Sequence, residues 1–441
     1  MTVATFTRLG TTNTYDNTLR NLHSRQASLA NLQENLTSGK RVVNASDDPT
    51  SAAQAERALT RIERVKTDQR ALESQRNAIA EAESTLGTVT DALQNFRELV
   101  VAAGNPTYTG RERQAVAVQL QGLRDQIFDL ANRKDSNGMP LFSALGSALA
   151  PFVGPNKPPQ DYTFQGLPGQ SASSEISIPY SLDGESAFMH QTPRDGVFNV
   201  HVTNATAPGN MIPMNRSLMT DNVMVTDNTV IAATATATSL ATTGAQNFPQ
   251  YIIKFNAPDT TTVPGETTIT YDITETPPVA TAAIAQGTAT FKTGVATSIA
   301  IKEIPGMSLN LKGIPEDGDT ITIDPSGSVF NVLDSTIRDL QGASNGNAAT
   351  QAVSQALHNI DIGMGRVNAE RGRAGDLLNR ADRITSNQEK RNVQLEADRS
   401  RAEDLDMIKG VSDFQNQQTA YSAALQSYAQ IQKLSLFNFL S

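Results

Sequence analysis

The chain contains no cysteine, which excludes disulfides and thiolate metal sites. No run approaches the roughly 18 apolar residues of a membrane-spanning helix. The first twenty residues, MTVATFTRLGTTNTYDNTLR, lack the apolar stretch of a secretory signal, so the protein is expected in the cytoplasm or outside by a route that cleaves no signal. Proline is almost absent from both ends: 17 of the 20 prolines lie between Pro151 and Pro325, and none follows. Because proline removes a backbone donor and clashes with the preceding turn, the ends are helix-competent and the middle is read as non-helical.

A basic excess is also missing. The formal charge is −9 over 441 residues, and residues 151–330 alone hold 7 Lys/Arg against 16 Asp/Glu, which is the same −9. The flanks are therefore neutral but densely charged, as salt-bridged helices are, and no face suggests nucleic acid. Apolar residues at 38% and aromatics at 5% suit narrow helical seams better than one large globular core.

The helical periodicity is explicit. Leu19, Leu22, Leu29, Leu32 and Leu36 form a partial stripe that should end at Gly39. Asp47-Asp48-Pro49 reads as a restart, with Asp48 as N-cap and Pro49 at the first helical position. Val65, Leu72, Ile79, Leu86, Leu93 and Val100 then recur every seven residues, the repeat of a coiled-coil seam. Asp68 and Gln75 occupy its second seam position, so that stretch is expected to be half covered. Gly104-Asn105-Pro106 stops this helix, and Thr109 with Glu112 forms a capping box for the next. Near the other end, Leu357, Ile360, Met364, Val367, Ala374, Leu378 and Ala381 keep heptad spacing, interrupted by Arg371. A last helix carries Leu425, Tyr428 and Ile431 and finishes in Leu434, Leu436 and Phe437, an apolar end that implies docking.

From 151 to 328 the texture becomes Thr, Ser, Gly and Pro with period-two alternation, as in Phe198/Val200/Val202, Ile269/Tyr271/Ile273, Met307/Leu309/Leu311 and Ile321/Ile323. These read as antiparallel strands. The low-complexity stretch 228–249 is read as a linker dividing two small β units. The fold class is therefore multidomain α+β: a terminal helical coiled-coil core from residues 1–150 and 329–441, with an antiparallel β region inserted at 151–328.

Candidate chemistry is thin. Asp47-Asp48 is explained by capping, and His23, His190, His201 and His358 are scattered without ligand spacing. GMGRVNAERG at 363–372 lacks the strand that a dinucleotide loop requires, and Gly39-Lys40-Arg41 lacks phosphate-loop glycines. Asn204-Ala205-Thr206 matches a glycosylation triplet of a kind common by chance. No nucleophile elbow or triad is present, so the chain is read as a non-enzyme without metal or cofactor; an enzymatic or ligand-binding β domain on a helical stalk is the minor alternative.

Leu36-Thr37-Ser38-Gly39-Lys40-Arg41-Val42, followed by Ser46-Asp47-Asp48-Pro49, resembles the N-terminal signature of the flagellin superfamily, in the form carried by its hook–filament junction members. QLQGLRDQIFDLANRKDSNG at 119–138, GMGRVNAERG at 363–372 and QTAYSAALQSYAQIQKLSLFNFL at 418–440 agree with it, whereas Met139-Pro140-Leu141-Phe142-Ser143 departs from the usual sequence after the Asn-Gly turn. The resemblance implies an axial protein of the bacterial flagellum, with helical ends facing the channel and β domains outside. It also implies export through the flagellar type III apparatus without a cleaved signal. The implied partners are hook-associated protein 1, flagellin, further copies of itself and an export chaperone, with no nucleic acid and no membrane insertion. Ser38, Gly39, Lys40, Arg41, Ser46, Asp47, Asp48 and Pro49 then become the assembly motif. Flagellin itself, the bulk filament subunit, is the alternative, although flagellins more often read SGLRI there.

Overall fold

The computed structural model describes residues 11–155, 161–204, 218–241, 248–261, 263–276, 283–343 and 345–440, with the side chains of 11–15, 239–241 and 431–440 left aside. The chain divides into two compact units, one of residues 1–71 with 383–441 and one of residues 72–382.

In the first unit, α1 (Thr11–Ser38) packs along α9 (Met407–Leu440). The early part of α2 (Pro49–Ala103) meets the late part of α8 (Gly346–Glu403) in a narrow apolar cluster of Ile62, Val65 and Leu395. Gly39 adopts φ +70°, the left-handed geometry that stops α1, as its position predicts.

In the second unit α2 and α8 run antiparallel. Arg97 pairs with Asp361 at 2.9 Å, Thr90 with Asn368 at 3.2 Å, Glu83 with Arg371 at 2.7 Å and Arg76 with Asp382 at 3.2 Å. On α2 these four polar positions are seven residues apart, so they rail one flank of the seam and fix its register. Leu72, Ile79, Leu86, Leu93 and Val100 are all buried, each removing side-chain area worth about 1.5–3 kcal/mol. At the end of α2, a Cβ on Gly104 would stand 3.0 Å from the Val353 side chain, so glycine permits close approach to α8.

Helix α3 (Gly110–Ala131) starts at the expected capping box: Glu112 N–H donates to Thr109 Oγ1 at 3.3 Å and Thr109 N–H to Glu112 Oε2 at 2.6 Å. It packs on α7 (Val329–Gly342). The Arg124 guanidinium grips Asp334 at 2.6 and 2.9 Å, and the Tyr162 hydroxyl donates to the same carboxylate at 2.8 Å. Phe128, Phe152, Tyr162, Phe188 and Phe330 stack beside this pair with ring centroids 5.1–5.6 Å apart. The aromatic cluster gathers the loop strands β1 (Phe152–Val153) and β2 (Thr163–Phe164) and the short helix α4 (Gly184–Phe188).

The remaining elements are α5 (Thr192–Asp195), β3 (Phe198–Asn204), β4 (Met219–Thr220), β5 (Met224–Val225), α6 (Asn228–Ala241), β6 (Gln250–Phe255), β7 (Glu266–Thr276), β8 (Ala285–Lys292), β9 (Thr297–Ile301), β10 (Met307–Gly313) and β11 (Asp319–Pro325). One antiparallel sheet has the order β3-β11-β6-β7-β8. In the other, β10 pairs with β9 on one side and with β4 and β5 on the other. The alternating residues expected from sequence point inward: Ile269, Tyr271 and Ile273 join Met307, Leu309, Leu311, Ile321 and Ile323 in one continuous core.

Two expectations fail in this region. The middle is not free of helix, and the described part of the 228–249 stretch, residues 228–241, is not a linker between separate β units. Residues 228–241 form α6, whose Ile231 is buried in the core shared by both sheets. The reason is local: no proline lies between Pro213 and Pro249, alanine favours helix, and the threonines turn their hydroxyls back on the helix. Thr234, Thr236 and Thr238 donate to Val230, Ala232 and Thr234 carbonyls at 2.9–3.0 Å.

Candidate assembly site

The motif residues of the first unit meet where four helix ends converge: the end of α1, the start of α2, the end of α8 and the start of α9. Gly39 turns the chain so that its carbonyl accepts from Leu405 N–H at 2.9 Å, and Arg41 N–H donates to Glu403 O at 2.7 Å. Lys40 forms an ion pair with Glu403. The Arg41 guanidinium is the hub, donating to the Ala402 carbonyl at 2.8 Å, to Ser51 Oγ at 3.0 Å and to Asp48 Oδ2 at 3.2 Å. One planar cation thus satisfies one of the last carbonyls of α8, on the buried Ala402, and two acceptors at the N-terminus of α2.

Asp48 caps α2, accepting from the N–H groups of Thr50 and Ser51 at 3.2 and 3.1 Å and from Thr50 Oγ1 at 2.7 Å. The bonds from Ser51 and Thr50, then Arg41, hold its carboxyl far below the usual carboxylate range. Asp47 instead closes the loop on itself, with Oδ2 accepting from Asn44 N–H at 2.8 Å. Ser38 Oγ donates to Asn35 O at 3.3 Å and accepts from Lys40 N–H, while Ser46 and Pro49 are exposed. Asp406 caps α9 through Ile408 and Lys409 N–H at 3.1 and 3.2 Å. Directly after that cap, Met407, Ile408 and Val411 are exposed, Ile408 to 86%.

The seam residue Val65 is buried in the first unit, and Leu72, Ile79, Leu86, Leu93 and Val100 are buried in the second. On α9, Leu425 is exposed and Tyr428 half-buried. The side chains of Ile431, Leu434, Leu436 and Phe437 lie outside the described residues. Chemically the site is a staple rather than a reaction centre: its cations and carboxylates are spent on helix termini. Among the described residues no group of three or more His, Asp or Glu side chains is placed to hold a metal ion.

Sequence reasoning missed a second polar device, in the larger unit. Strand β3 is an edge strand whose outward main chain has no neighbouring strand among the described residues. Helix α8 supplies the partners from Gln351, Gln355 and Asn359, spaced i, i+4, i+8 on one face. Gln351 Nε2 donates to Val200 O at 3.4 Å while its Oε1 accepts from Thr220 N–H at 3.1 Å. Gln355 Oε1 accepts from Val200 N–H at 3.3 Å, and Asn359 Nδ2 donates to Phe198 O at 2.9 Å. The amide ladder seats the sheet on the helix and blunts an edge open to strand addition. Its only trace in the sequence is three amides at helical spacing.

Comparison with known proteins places this geometry. The bacterial flagellin N-terminal helical region matches residues 10–146, and the bacterial flagellin C-terminal helical region matches residues 357–440. The two matched segments define the class: an axial-type chain built on flagellin helical ends around an inserted region. Flagellar hook-associated protein 3 of Escherichia coli (strain K12) is 30% identical over 230 residues, covering 51% of this chain and 68% of that protein. The protein of the same name from Salmonella typhimurium is 36% identical over 154 residues, 33% of this chain and 46% of that one. Flagellar filament core proteins match over shorter stretches of 115–141 residues. The crystal structure of the flagellar junction protein FlgL from Legionella pneumophila shares the fold, with a TM-score of 0.53 at 22% identity over 75% of this chain and 99% of that one. The chain belongs to the flagellar hook-associated protein 3 family, within the flagellin superfamily.

Proposed function

We propose that the protein forms the junction layer between hook-associated protein 1 and the flagellin filament. The observation that carries this reading is the match to a hook-associated protein 3 over 68% of that protein's length, beside the flagellin helical regions matched at both ends of the chain. The role is structural and non-enzymatic. Its partners are hook-associated protein 1 on one side, flagellin on the other, further copies in the same layer and an export chaperone before assembly. It reaches its position through the flagellar type III apparatus without losing a signal segment.

The Ser38–Arg41 and Ser46–Pro49 staple holds the helix ends of the first unit in a fixed corner, which suits a subunit that meets two different neighbours. The exposed Met407, Ile408 and Val411 beside it, together with Leu425 further along α9, supply the surface that neighbours cover. The helical core 1–150 and 329–441 lines the axis and the acidic region 151–328 is carried outside.

The test is deletion of the gene in a motile host, followed by electron microscopy of the hooks and assay of flagellin in the medium. Intact hooks without filaments, with monomeric flagellin shed outside, are expected. Filaments still attached to their hooks refute the junction role. If the protein also dominates sheared filaments, it is a filament subunit instead.

A further inference from the structure

Residues 183–195 lead from the helical part of the larger unit into β3 and are laid on α8. Arg366 of α8 donates to the Ser186 carbonyl at 2.8 Å, and His190 N–H donates to the Gly327 carbonyl at 2.8 Å. Met189 pairs with Ser328, so this segment also holds the turn by which the chain returns from β11 to α7. The His190 imidazole is buried against α8 at Gly363, where a Cβ would stand 3.8 Å from Nε2. Neither Nδ1 nor Nε2 has a hydrogen-bond partner among the described residues.

We propose that His190 is an acid-release latch. Neutral, it closes segment 183–195 and the 327–328 return onto α8; protonated, it opens them while the sheets and the long helices stay folded.

The argument is first geometric. An imidazolium at this position has two N–H donors and no acceptor, in a place without solvent. Its charged surroundings are unfavourable. Asp195 and Arg194 act on it from its own segment and Arg366 from α8, whose own charge is flanked by Glu370 and Arg373; Asp161 holds the far side of the 327–328 turn, accepting from Gly327 N–H and Ser328 Oγ. The carboxylate that acts on it, Asp195, is already engaged by Arg194 at 2.7 Å and by Gln191 N–H at 2.9 Å. Burial is the main cause holding the imidazole pKa down to about 4; Asp195 works against it, and Arg194 and Arg366 work with it.

The sign follows. The unfolded imidazole binds its proton near its ordinary value, so the closed state loses stability as pH falls from about 6.5 towards 4 and loses no more below that. Over the interval from pH 7.5 to 4.5 the histidine's share of the rise in the opening constant is about 70-fold. Glu370 and Asp161 act in the opposite sense, because burial raises both carboxyls and they hold protons more tightly when closed. A His190 variant isolates the histidine's share.

The experiment is amide hydrogen exchange by mass spectrometry on the full-length protein, corrected for the intrinsic pH dependence of exchange. Peptides covering 184–196 and 326–333 are compared with a control covering 266–292. Wild type should open in the first two while the control stays protected. His190→Phe should remove the response, leaving less than about a 5-fold change over the same range. Asp195→Asn, which keeps an acceptor oxygen but removes the carboxylate charge that favours the imidazolium, should carry the rise on below pH 4.5, where the wild-type response levels off, and serves if the phenylalanine variant does not fold. The proposal is overturned by no acid response in wild type, by loss of the control at the same pH, by an unchanged response in His190→Phe, or by a response in Asp195→Asn that levels off where the wild type's does.

Discussion

Replacing Gln351 by leucine is the sharpest perturbation of the contact between α8 and the sheet. The two side chains are similar in size, and the site is buried, so the packing changes little. What changes is that Thr220 N–H loses its acceptor and Val200 C=O its donor. Each orphaned main-chain group in a buried place costs about 1–3 kcal/mol. The added apolar burial returns about 1–2 kcal/mol. A net loss of about 2–3 kcal/mol follows, which is about 30- to 150-fold in the local opening equilibrium.

Gln355→Leu is the built-in control. It also orphans one group, the Val200 N–H, but it removes Gln355 Nε2, which already has no partner among the described residues. The two terms are similar in size, so the expected cost stays below about 1 kcal/mol. The assay is hydrogen exchange at β3 and β4 peptides along a urea series, read locally because a chain of two units need not unfold in one step. If Gln351→Leu costs no more than Gln355→Leu, the amide ladder does not carry the contact and the reasoning fails.

Gln388 of α8 sits at a seam position, seven residues before the buried Leu395, and both its side-chain polar atoms are buried without a partner among the described residues. Gln388→Leu should therefore raise the thermal midpoint of the isolated protein, by the equivalent of about 1–3 kcal/mol; a lower midpoint refutes this. His201 works oppositely to His190: burial disfavours its charge, but the bond from Nδ1 to Asp339 at 3.1 Å and the nearby Asp324 outweigh this and raise its pKa. Its contribution is full below the ordinary histidine value of about 6.5 and is lost as pH rises through the folded value, so His201→Asn should flatten the decline in β3 protection above neutrality; an NMR titration with no upward shift refutes it.

The elements that were legible in the sequence are those whose cause is local. The glycine stop after α1, the Asp48 cap, the Thr109–Glu112 box and the seven-residue repeat each act within a turn or two of helix, so residue spacing alone predicts them. Helix α6 was missed because proline was weighed across a region, whereas helix breaking acts only on the turn that contains the proline. The staple was half legible: the Ser38–Pro49 residues stood out, but Ala402 and Leu405 act through main-chain atoms, and so in part does Glu403, which also pairs with Lys40; main-chain partners carry no sequence pattern.

The same explanation covers the two flaws read into the seams. Gln75 counted as a gap, yet its Oε1 accepts from Ile178 N–H at 3.1 Å, so a third segment lies over that stretch. Arg371 counted as an interruption, yet its guanidinium carbon lies 3.4 Å from where a Cβ on Gly87 would be, and its Nε bonds Glu83. The missing side chain at Gly87 and the long one at Arg371 form one fitted pair, 284 residues apart in sequence. A polar residue in an otherwise strict apolar repeat is thus informative about what lies across from it. It marks where the helix pair meets a backbone or a charge that periodicity within a single helix cannot show.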